Sequence, residues 1–83
     1  MTEQAIIDEL KQRGGKTPAP ADVRGLYREA FRDYGLRALW SSRAADEPTI
    51  ADALAITESL RVEGGVAGRR LAERIVEGCR AAL

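Results

Sequence analysis

Histidine and asparagine are absent from the 83 residues, and cysteine occurs once, as Cys79. Without histidine the chain lacks the commonest general base and the commonest transition-metal ligand. One thiolate on its own closes no internal disulfide and builds no structural zinc site. Aromatic residues make up only 5% of the chain. No stretch approaches the roughly 20 consecutive apolar residues that a membrane span needs. The opening MTEQAIIDEL carries Glu3 and no basic segment, so it does not read as a secretory signal. A cytoplasmic location and no membrane association are the expectations. Net charge is absent too: 13 basic residues balance 13 acidic ones, so no global field draws the chain to nucleic acid or anionic lipid.

What is present is alanine and helical periodicity. The hydrophobic share is 45%, which argues against disorder. Within it 14 residues are Ala and 17 are Val, Ile or Leu, so large apolar side chains are few. A chain of this length buries only about 60–65% of the surface its unfolded form exposes. Residues 1–83 therefore read as one small domain with a thin core.

The pattern predicts an all-α fold, a compact bundle of four to five short helices at about 3–13, 21–34, 36–42, 49–63 and 66–82. In the first, Ile6, Ile7 and Leu10 share a face, and Gly14-Gly15 ends it. Residues 16–20, with Pro18 and Pro20, read as an extended connector, so the N-terminal segment 1–15 is expected either to dock loosely through it or to pack against a second copy. Val23, Leu26, Tyr27, Ala30, Phe31 and Tyr34 recur at spacings of three and four along the second helix. Leu36, Leu39 and Trp40 suggest a short third. Thr49 and Asp52 have the spacing of a capping box for the fourth, with Asp46 as an alternative cap. That helix gathers Ile50, Ala53, Leu54, Thr57 and Leu60 on one face. The fifth buries Leu71, Ala72, Ile75, Val76 and Cys79. No segment of four or more residues alternates as a half-buried strand would.

Charge is segregated along the neutral chain. Residues 11–43 hold eight bases (Lys11, Arg13, Lys16, Arg24, Arg28, Arg32, Arg37, Arg43) against three acids, whereas residues 44–67 hold five acids and only Arg61. Arg24, Arg28 and Arg32 fall at exact four-residue spacing, an arrangement that disfavours an isolated helix by a few tenths of a kcal/mol per pair. Acids within the chain, an acidic partner or phosphate would offset it. All four aromatics, Tyr27, Phe31, Tyr34 and Trp40, lie within the same region. Arginine with aromatics is the composition of interface anchors, and it is also what a small core would use. Arg24, Tyr27, Arg28, Arg32, Arg37 and Trp40 are accordingly the candidate partner-binding residues.

Catalytic readings fare worse. No histidine is present to activate the available Ser, Thr, Tyr and Cys hydroxyls and thiol, and Gly64-Gly65-Val66-Ala67-Gly68 lacks the Lys-Ser/Thr and the preceding strand of a phosphate loop. These glycines read as a tight interhelical turn. A DNA-reading hairpin over 49–75 would place Val66, Ala67 and Gly68 where base-contacting side chains belong. The expectation is a non-enzymatic protein-interaction module with no cofactor and no metal, such as a small accessory subunit, inhibitor or antitoxin-like partner. It would bind another protein or a second copy of itself. The alternative is a small DNA-binding regulator using the basic segment 11–43.

Overall fold

The computed structural model describes residues 3–36, 39 and 43–83. It is all-α, with α1 over Glu3–Gly14, α2 over Ala21–Tyr34, α3 over Ile50–Ala55, α4 over Thr57–Glu63 and α5 over Gly65–Ala82. The expected helix over 36–42 falls largely outside the described residues, namely 37, 38 and 40–42. Leu36 itself sits in a turn and Leu39 outside any helix, although Leu39 is buried.

Helix α5 is the hub. Its face of Leu71, Ala72, Ile75, Val76 and Cys79 is buried, and α4, α2, α3 and α1 all pack on it. Glycines set how near its neighbours come. A Cβ on Gly68 would meet the Leu60 carbonyl oxygen at 2.7 Å, and one on Gly78 would meet Val23 Cγ2 at 2.7 Å. Gly65 turns the chain between α4 and α5 with a φ of 68°, a conformation that strains any residue carrying a Cβ. The tight turn expected at Gly64-Gly65 is therefore present.

The expected helix over 49–63 is two helices, joined at Ile56. Its start is as the spacing predicts: Thr49 Oγ1 accepts from Asp52 N at 3.2 Å, and Asp52 Oδ2 accepts from Thr49 N at 2.9 Å. The break follows from Thr57, whose hydroxyl is fully buried and donates to the Leu54 carbonyl at 2.6 Å. A threonine hydroxyl bonded to the preceding turn competes with the helical ladder and bends it. Both pieces keep the same apolar face, so Ile50, Ala53, Leu54, Thr57 and Leu60 all remain inside.

The connector over 16–20 is tied down. Ala19 N donates to the Pro48 carbonyl and Ile50 N to the Thr17 carbonyl, each at 2.9 Å, around an antiparallel bridge between Pro18 and Thr49. Helix α1, expected to dock loosely, buries Ile7 and Leu10 and packs against α3 and α5. Arg13 adds a hydrogen bond of 3.4 Å to the Leu83 carbonyl, beside Gly14, which lies under the Leu83 side chain. The prolines explain why the linker does not run free: with no N–H of their own and fixed φ, they hold an extended geometry whose remaining donors and acceptors face the 48–51 segment.

Truncating the hub should therefore be costly. Leu71→Ala or Ile75→Ala is expected to destabilise by roughly 2–4 kcal/mol, Gly65→Ala by about 1–2 kcal/mol, and Arg80→Ala by under about 0.5 kcal/mol. Chemical denaturation of the four variants checks this. Equal losses for Ile75 and Arg80 would mean that α5 is rotated from the orientation described.

Candidate functional site: the basic face of helix α2

Helix α2 starts after Pro20, whose φ of −65° suits a helix entry, and turns Val23, Tyr27 and Ala30 inward. At 3.6 residues per turn, this leaves Ala21, Arg24, Gly25, Arg28 and Arg32 on the outward side, where all are exposed. Arg24 and Arg28 stand one turn apart and form no ion pair with any described residue. Arg32 is neutralised: its Nε donates to Asp33 Oδ1 at 2.9 Å, and Glu29 lies 3.8 Å away. The hydrogen bond with Asp33 and that residue's charge push the Arg32 guanidinium above its ordinary value, and the same bond holds the Asp33 carboxyl below its own.

Of the other sequence candidates, Tyr27 is not on this surface. It is only 3% exposed, stacks at a tilt against Phe31 with ring centroids 5.0 Å apart, and accepts a hydrogen bond from Ala45 N at 3.0 Å through its hydroxyl. A thin core recruits its largest side chains, and the phenol oxygen anchors the 43–47 loop. Arg37 and Trp40 lie outside the described residues. What the structure brings together is thus a pair of unneutralised arginines, Arg24 and Arg28, beside a glycine.

Gly25 has no role within the fold. A Cβ there would meet nothing within 4 Å and its backbone is helical, yet glycine inside a helix is roughly 0.5–1 kcal/mol less favourable than alanine. It leaves a flat strip beside the two arginines.

The acids on α4 do not reach the basic face. Glu58 and Glu63 are exposed and form no ion pair among the described residues. α2 and α4 each pack on α5 and share no substantial contact of their own. Between the two acids Val62 is 74% exposed. The acidic character of this helix is legible in the sequence, and so is the exposure of Val62, which lies outside the apolar register set by Ile50, Ala53, Leu54, Thr57 and Leu60.

On the other side of α2 a groove runs along α5, where Arg74 reaches Glu29 at 3.9 Å. Leu26, Gly78 and Ala81 line one end and Tyr34, Val66 and Leu71 the other. Among the described residues no three His, Cys, Asp or Glu side chains converge as a metal site would require, and no described helix is long and apolar enough to cross a membrane. Cys79, the strongest nucleophile by type, is buried; burial first and the Asp22 charge second push its thiol from 9.0 up to about 11.

That shift has a signed consequence. The unfolded chain releases the thiol proton near its ordinary value, whereas the folded chain holds it until about pH 11. The contribution of Cys79 to stability is complete below about pH 9 and is lost as pH rises towards 11. Urea unfolding of the native chain across that window should show a steeper loss than Cys79→Ala shows; parallel slopes would contradict the assignment.

Compared with models of known families, with curated proteins and with solved structures, the chain finds no significant match in any of the three.

Proposed function

We propose that this chain is a non-enzymatic protein-interaction module that presents the outward face of α2 to an acidic protein surface. One observation carries the reading. Arg24 and Arg28 are exposed, share one helix face and have no ion pair among the described residues. Arg43 and Arg70 are also unpaired among them but stand singly, while Arg32, Arg69, Arg74 and Arg80 each have a carboxylate of the same chain within 4 Å. The guanidinium is the cation best suited to such a role, because it grips a carboxylate with two parallel hydrogen bonds and sheds water more readily than an ammonium. Holding two like charges one turn apart disfavours the helix slightly, and a carboxylate-bearing partner relieves that repulsion on binding. Gly25 and Ala21 let such a partner lie close to the helix backbone.

A DNA-binding regulator is the competing use of the same charges. It separates by salt: phosphate contacts release counterions, so nucleic-acid affinity falls steeply as ionic strength rises. Protein capture on immobilised full-length chain, compared with duplex DNA of random sequence, tests both. Arg24→Ala/Arg28→Ala is expected to weaken capture of a protein partner by more than about 2 kcal/mol while its thermal melt stays within a few degrees of the parent. A partner retained at undiminished affinity would refute the assignment to this face. Tight DNA binding that collapses between low and moderate salt would transfer it to nucleic acid.

A further inference from the structure

From the separation of two unneutralised faces of opposite charge we infer that the partner of the α2 face is a second copy of this chain, docking head-to-tail through its α4. This rests on the reading of α2 given above and names its occupant. The basic face offers Arg24 and Arg28, about 6 Å apart along the helix axis, with the low strip of Ala21 and Gly25 beside them. The acidic face offers Glu58 and Glu63 on either side of Val62, whose side chain is 74% exposed. One face therefore has two cations along one side of a flat strip, and the other has an apolar knob with Glu58 one turn before it and Glu63 further round the helix.

Within one chain the two faces cannot satisfy each other. Both α2 and α4 are held by α5 and make no substantial contact together. Neither arginine and neither glutamate has an ion-pair partner among the described residues. The chain is neutral overall, so copies approach without net repulsion while their local fields attract basic face to acidic face. Val62 resting on the Gly25 strip would exclude water from the paired charges, which raises the strength of their hydrogen bonds. Acidic groups also exist in the 43–47 loop, as Asp46 and Glu47, but they form no ion pair with α2 among the described residues, and their exposed apolar neighbours, Ala44 and Ala45, are small.

A contact between two different faces is heterologous. The dimer still presents one free face of each kind, one on each copy, so association continues past it unless a ring closes. Attraction of this kind is weak singly and screened by salt, with a Debye length of about 8 Å at physiological ionic strength.

The test is sedimentation equilibrium of the full chain from about 10 µM to about 1 mM, the range of weak and transient contacts. The average mass is expected to rise with concentration beyond that of a dimer at low salt, and to fall back in high salt. Arg24→Glu/Arg28→Glu and Glu58→Arg/Glu63→Arg should each weaken association by tenfold or more, because each puts like charges across the contact. An equimolar mixture of the two should associate again, since every basic face then meets an acidic one. Arg13→Glu/Arg80→Glu, which changes net charge equally but lies away from both faces, should associate as the parent does. All four positions on the two faces are exposed, and circular dichroism confirms the fold of each variant; the milder Arg24→Gln/Arg28→Gln or Glu58→Gln/Glu63→Gln replaces the corresponding variant if it loses helicity. A parent that stays monomeric throughout, or a mixture that fails to reassociate, overturns self-docking. If the arginine variants nevertheless lose a different captured protein, the α2 reading survives and only its occupant is wrong.

Discussion

The buried face of α5 is built mostly from small and medium side chains, and the rest of the molecule is arranged around that limit. Gly68, Ala72, Val76 and Cys79 occupy four of its six inward positions. Such a ridge buries enough area only if neighbouring helices come very close, because hydrophobic stabilisation scales with the area removed from water. Gly68 and Gly78 provide that approach, the first under Leu60 of α4 and the second under Val23 of α2. Gly65 reverses the chain at once, so α4 leads directly back along α5. Glycine inside a helix is locally unfavourable, and here the close contact compensates for it. A chain with 14 alanines is packed by proximity rather than by bulk.

That economy decides what remains for the surface. Tyr27 is taken into the core, and its hydroxyl holds the 43–47 loop. The 16–20 connector is bonded to the 48–51 segment, which fixes the approach of α1. Three of the four arginines of α5 and Arg32 at the end of α2 find carboxylates nearby: Arg69 with Glu73, Arg74 with Glu29, Arg80 with Glu77 and Arg32 with Asp33. Exposed pairs of this type each contribute under about 1 kcal/mol, so they tidy the surface rather than hold the fold. Unpaired charges remain in several places among the described residues, including Glu9, Lys16, Arg43, Asp46, Glu47 and Arg70; those of α2 and α4 stand on two helices that α5 keeps apart.

Much of this was legible from spacing. The inward faces of α2, α4 and α5, the capping box at Thr49 and the glycine turn at Gly64-Gly65 follow from periodicity and local chemistry, which act over a few residues. Three things did not. The break at Ile56 depends on a Thr57 hydroxyl that has nowhere to go but the Leu54 carbonyl, a consequence of burial rather than of spacing. The docking of α1 depends on hydrogen bonds between segments some 30 residues apart in the chain. Tyr27 was assigned to a surface because an aromatic among arginines suits an interface and a core equally well; only its 3% exposure decides between them.

The same distinction bears on the candidate site. From sequence, the arginine stripe of α2 could have been cancelled by the acids of residues 44–67, which would have made it an ordinary solvated helix. Cancellation requires the oppositely charged groups to come within a few ångströms, and the packing on α5 prevents that for Glu58 and Glu63. Their separation leaves a dipolar surface on a neutral chain. Opposite charges held apart by a rigid hub lower their energy by meeting charges on another molecule, and the geometry of that meeting is restricted to faces of matching relief. Gly25, which the fold does not need, and Val62, which the fold leaves in water, supply that relief on the two sides.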